Sequence, residues 1–64
     1  MTKDRLMRLP AVMQATGLSR RTIYRLIGRG EFPAQVQIGA NMVAWYQGQI
    51  EAWIANPMGW QRAA

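Results

Sequence analysis

Apolar positions recur along this chain with two different periods, and the changes of period mark out its elements. Leu9, Val12 and Met13 stand at i, i+3 and i+4, the spacing that gathers side chains on one side of a helix. A helix there starts near Pro10, whose missing N–H matters least in a first turn. It stops at Gly17, the residue type best suited to a left-handed C-cap. The next stretch, LSRRTIYRLIGRG from Leu18 to Gly30, repeats the spacing with Ile23, Leu26 and Ile27 and turns Arg21, Arg25 and Gly28 the other way. Ser19 is placed to accept a hydrogen bond from an early helical N–H. Thr22, three residues on, is a poorer partner for it than the Glu or Gln of a full capping box. Only Gly17 and Leu18 separate the two helices, so the spacing predicts a steep crossing, as in a helix-turn-helix. The second helix is expected to end at Gly30, with Arg29 favourably placed in its last turn.

Phe32-Pro33 then breaks the helical pattern. From Gln35 the period is two, with Val36 and Ile38 alternating with Gln35 and Gln37, which predicts a half-buried strand. Gly39-Ala40-Asn41 supplies turn chemistry, and Met42 to Trp45 makes the return strand of a hairpin, with Val43 and Trp45 on one face. The period returns to 3.6 after Tyr46, where Ile50, Trp53 and Ile54 face in and Gln47, Gln49 and Glu51 face out. That third helix runs to about Ala55 and is stopped by Asn56-Pro57; Gly48 weakens its first turn by about 1 kcal/mol relative to alanine. The expected class is mainly α with a small β-hairpin, three short helices and a wing. Residues 1–8 form an arm with a short strand around Arg5 to Arg8, residues 9–56 the winged helix-turn-helix domain, and residues 57–64 a tail without periodicity. Residues 1–4 fit a frayed terminus equally well. There is no internal repeat and no second domain.

Composition narrows the function. A domain of 64 residues buries only about 60% of its unfolded surface, which leaves little room for a large buried cleft. The chain has no cysteine and no histidine, so disulfides, thiolate zinc sites and the commonest general base are all absent. Its three carboxylates, Asp4, Glu31 and Glu51, are scattered. Ser19 and Thr22 have no base to activate them as nucleophiles, and neither an enzyme nor a cofactor or metal is expected. Stability must come from packing, consistent with 50% apolar residues and three tryptophans. Trp45 and Trp53 fall on inward stripes; Trp60 belongs to none, and either folds back on the third helix or meets a neighbouring protomer.

The net charge of +5 and a pI near 11.3 suit nucleic acid, an acidic protein or an anionic membrane surface. No apolar run is long enough to span a bilayer, and the first residues lack the apolar segment of a signal peptide; a cytoplasmic protein with no membrane partner is expected. Half of the eight basic residues, Arg20, Arg21, Arg25 and Arg29, lie within the central helical stretch.

The segment RLPAVMQATGLSRRTIYRLIGRGEFPAQVQIGANMVAW, followed by QIEAWI, resembles the AlpA family of small phage and mobile-element regulators, a MerR-like winged-helix group related to excisionases. The resemblance covers Arg8 to Ile54, and its most specific parts are TGLSRRTIYRLI with the GEFP break and the spacing from Trp45 to Ile54. It implies a second helix that reads the major groove of double-stranded DNA, a wing that touches the backbone or minor groove, and a third helix that is scaffold. Ser19, Arg20, Arg21, Thr22, Tyr24 and Arg25 occupy the recognition-helix positions. The wing turn carries a basic residue in many relatives and none here, although Asn41 can hydrogen-bond a phosphate or a base edge.

The residues themselves divide the roles further. Arg21 and Arg25 are neighbours on one helix face, and arginine grips guanine O6 and N7 through two parallel hydrogen bonds; they are the expected base readers. Arg20, Ser19 and Thr22, at the helix N-terminus, suit phosphate or mixed contacts. Tyr24 lies on the flank, with its ring on the wing strands or its hydroxyl on a phosphate. The expected function is transcriptional regulation of phage or integrative-element genes, with an excisionase that bends attachment-site DNA as the alternative and an anti-repressor module gripping an acidic protein as a third. RNA polymerase or integrase are the protein partners these roles imply. A single helix makes few base contacts, so cooperative side-by-side binding of several copies is expected.

Overall fold

The computed structural model describes residues 4–60; Lys3 of the expected arm and the tail beyond Trp60 lie outside the described residues. The elements run β1 (Leu6–Met7), α1 (Leu9–Thr16), α2 (Arg20–Gly28), β2 (Val36–Gly39), β3 (Met42–Tyr46) and α3 (Gln47–Ala55). The strands form one antiparallel sheet in the order β1-β3-β2. This is a winged helix-turn-helix: α1 and α2 are the motif, β2 and β3 the wing, and the arm adds a third strand by pairing Leu6 with Tyr46 and Met7 with Trp45.

Local chemistry sets each helix boundary. Pro10 opens α1, and Gly17 closes it at φ 74°, its N–H donating to the Met13 carbonyl at 2.8 Å. Thr16 braces the turn that follows: its hydroxyl donates to the Val12 carbonyl at 2.8 Å and accepts the Leu18 N–H at 3.3 Å. The link between helices is Gly17, Leu18 and Ser19, one residue longer than expected, because Ser19 is spent as the cap. Its Oγ accepts the Thr22 N–H at 3.2 Å and lies 3.0 Å from the Thr22 hydroxyl. At the other end α2 stops at Gly28 rather than Gly30, which moves Arg29 from the last turn to the C-cap. Gly30 takes φ 74°, and the Gly30 and Glu31 N–H groups donate back to Ile27 and Leu26 at 3.0 and 2.9 Å. This paired bonding satisfies carbonyls that the helix end would otherwise leave open.

The core gathers Val12, Ile23, Phe32, Trp45, Ile50 and Trp53, so every helix and the central strand contribute. Leu9, Met13, Leu26 and Ile27 pack against it partly buried, as their stripes predict. Trp60 folds back on the same cluster. Phe32 was legible only as a helix breaker's neighbour, yet it is fully buried, its ring centroid 5.0 Å from that of Trp53. Two inward assignments are corrected. Ile54 is exposed in the last turn of α3, one residue before the helix ends at Ala55. Ile38 is exposed because the register sets Val36 opposite Ala44 and Gln37 opposite Val43, which turns the apolar positions of β2 to the face away from Val43 and Trp45, and the inner face of the hairpin is filled from β3 instead. The turn is also shorter than expected: Gly39 pairs with Met42, leaving only Ala40 and Asn41 between the strands.

Candidate nucleic-acid interface

The side chains expected to meet a ligand are on the outer surface of α2, and three observations explain how that helix is held. Its inner side is anchored by Ile23, which is fully buried. Its start is fixed by the Ser19 cap. Its exit is fixed by both core indoles: Trp53 Nε1 donates to the Glu31 carbonyl at 2.9 Å, and Trp45 Nε1 to the Pro33 carbonyl at 3.0 Å. The segment Gly30 to Pro33 is thus a docking strap between the helix and the core. A buried indole N–H needs an acceptor, and the strap supplies one to each ring.

On the outer side Ser19, Arg20, Arg21 and Arg25 are exposed, while Thr22 and Tyr24 are half-buried. Tyr24 bridges inside and outside. Its ring meets Trp45 edge-on, 6.2 Å between centroids and 64° between planes, and the Arg20 guanidinium carbon lies 6.0 Å from its centre. The Tyr24 ring thus packs against Trp45 of the wing strand β3. That contact orients Arg20, since a guanidinium at about 6 Å from an aromatic face is weakly attracted to it. Arg21 and Arg25 extend from the same helix one turn apart. Together the three present planar, multi-donor cations suited to carboxylates, phosphates and the acceptor edge of guanine.

Asn41 is exposed at the tip of the wing. Beside it the Gln37 amide donates to the Gly39 and Ala40 carbonyls at 3.1 and 3.2 Å, so a side chain braces the turn. No Lys or Arg occurs between Gly30 and Gln61, and seven of the eight basic residues precede Gly30. The wing is accordingly uncharged and the positive charge is borne by the helix-turn-helix half. Sequence reasoning missed Asp4, which accepts the Gly48 N–H at 2.8 Å and the Arg5 N–H at 3.0 Å. It supplies an acceptor at the N-terminus of α3, where Tyr46 gives no side-chain cap. Gly48 belongs to this arrangement, since a Cβ there would come within 3.0 Å of the Asp4 carboxylate. No helix among the described residues is long and apolar enough to cross a membrane.

Residues 5–58 match the family model of the prophage CP4-57 regulatory protein, AlpA. The chain is similar to an uncharacterized protein, ORF88, of Enterobacteria phage P4, with 51% identity over 55 residues, 86% of this chain and 62% of that relative. It therefore spans less than two thirds of the phage protein's length. It is also 35% identical over 58 residues to the DNA-binding transcriptional activator AlpA of Escherichia coli K12, covering 81% of this chain and 83% of that protein. No solved structure matches the chain significantly.

Proposed function

This chain belongs to the AlpA family of prophage regulatory proteins, and on that premise we propose that it binds double-stranded DNA and regulates transcription of phage or integrative-element genes. The observation that carries the reading is the outer surface of α2: Arg20, Arg21 and Arg25 exposed on a helix whose start is capped by Ser19 and whose back and exit are fixed by the core. A base reader must arrive already positioned, because each rotamer-rich side chain ordered on binding costs about 0.5–1.5 kcal/mol.

In this reading α2 enters the major groove. Arg21 and Arg25 reach base edges through bidentate hydrogen bonds, Arg20 meets phosphate with its guanidinium steadied by Tyr24, and Ser19 and Thr22 line the backbone at the helix start. Asn41 touches the backbone from the wing tip, where its amide is the available donor and acceptor. The uncharged wing adds little electrostatic attraction, so affinity rests on α2. Transcription is favoured over recombination by the E. coli relative, which is named as a transcriptional activator.

Selection of bound sequences from random duplexes tests the proposal. A recovered motif, with binding that weakens steeply as salt rises, supports it; failure to bind any duplex at low salt would sink it. A promoter carrying that motif should then change its output with RNA polymerase alone, whereas an effect seen only with integrase would assign the chain to recombination.

A further inference from the structure

The face of the sheet turned away from the core is apolar across all three strands. By the pairing register, Leu6 stands opposite Tyr46, Val36 opposite Ala44, and Ile38 and Gly39 together opposite Met42. None of Leu6, Val36, Ile38, Met42 or Tyr46 packs against the hydrophobic core, which the sheet meets through Met7, Val43 and Trp45. The exposed fractions are 49% for Leu6, 40% for Ile38, 43% for Met42 and 37% for Tyr46, around an Ala44 that is fully closed over. An antiparallel sheet with one solvated face ordinarily puts polar side chains there. A contiguous apolar patch of a few hundred Å² in their place is of the size that is often functional on a monomer.

We infer that this sheet face docks a second copy of the same chain when both are bound to neighbouring sites on DNA. The inference rests on the DNA-binding function proposed above. Charge selects the occupant. The chain carries +5 overall, yet the six side chains of the face include no charged group. Two copies meeting here bring no like charges together, whereas an acidic partner finds nothing on the face to pair with. Size sets the circumstance. Side chains of about 200 Å² each, some two-fifths open, expose on the order of 350 Å², well under the ~800 Å² per partner of a stable complex. Such a contact does not hold a dimer in free solution; it acts once a duplex raises the local concentration of one copy beside another. The contact is made by the face and not by strand addition, since β1 is only two residues long and β2 is interrupted at Gln37 to Gly39, features that blunt a sheet edge.

The test compares binding of the full chain to random-sequence duplexes of about 12 and about 40 base pairs, one helical turn against several. Binding to the longer duplex should be cooperative by about tenfold, within the usual range of couplings. Met42→Gln and, separately, Leu6→Thr should abolish that factor while leaving affinity for the short duplex unchanged; both positions are open to solvent, and thermal melting checks that both variants fold. Because the chain has no cysteine, Met42→Cys provides a single thiol. A short bis-maleimide should join two copies on the 40-base-pair duplex, not without DNA, and more readily than it joins Gln49→Cys on the exposed side of α3. Independent binding by the unaltered chain, or cooperativity that survives both substitutions, would overturn the inference. Loss of binding to both duplexes would overturn the DNA-binding function first, and this inference with it.

Discussion

Tyr24 separates two roles that a single aromatic can play on a reading helix. Its ring lies between Trp45 and the Arg20 guanidinium, so removing the hydroxyl alone leaves both contacts. Tyr24→Phe should keep melting behaviour within ~0.5 kcal/mol of the parent, and any loss of DNA affinity then reports a phosphate contact by the hydroxyl. Tyr24→Ala removes the ring itself and should lower stability by about 2 kcal/mol, less than a fully buried aromatic because the ring is half-exposed. Arg21 and Arg25 carry a different expectation. Alanine at either should cost about 1–3 kcal/mol of affinity for the preferred duplex and relax selectivity at one base position, measured by competition between single-base variants. A loss equal for all sequences would assign that arginine to the backbone. Arg29, at the C-cap of α2, should change little beyond overall attraction.

The elements owe their boundaries to local chemistry and their placement to contacts distant in sequence. The first kind was readable in advance. Ser19, Gly17 and the periodic stripes of α1 and α2 follow from rules that act within a few residues, and Ser19→Ala should destabilise the fold by about 1 kcal/mol, seen in denaturant titration. Phe32 was not readable, because it stands alone between a glycine turn and a proline and belongs to no stripe. The Asp4 cap was not readable either, since its partner Gly48 is 44 residues away. Ile38 and Ile54 fit their stripes, but the register of β2 on β3 turns Ile38 away from the core and Ile54 stands exposed in the last turn of α3. The apolar outer face of the sheet needed the register between β1, β2 and β3, which no period reveals. The strap is the most sensitive element. Trp45→Phe keeps most of the buried ring but leaves the Pro33 carbonyl without its indole donor, which should cost about 1–3 kcal/mol. That change should weaken DNA binding as well if the exit of α2 positions its arginines.

At the scale of the whole molecule, charge is segregated: the basic residues gather ahead of Gly30, and the wing and α3 contribute none. The salt dependence of DNA binding should therefore be set by the helix-turn-helix half. If Arg20 and its neighbours neutralise about four phosphates, log K should fall against log salt with a slope of about −3 to −4, and Arg20→Ala should reduce that slope by about one. The sheet carries another consequence at this scale. β1 has its ladder partner only in β3, and the indoles that secure the exit of α2 belong to β3 and α3. A chain leaving the ribosome from its first residue, at about 5–20 residues per second, thus releases the reading helix seconds before the tryptophans that fix its exit. During that interval Ile23, Leu26 and Ile27 have no finished core to enter. The surface proposed to meet DNA is synthesised first and becomes rigid last, so a regulator of this design gains its selectivity only after translation has passed Trp53.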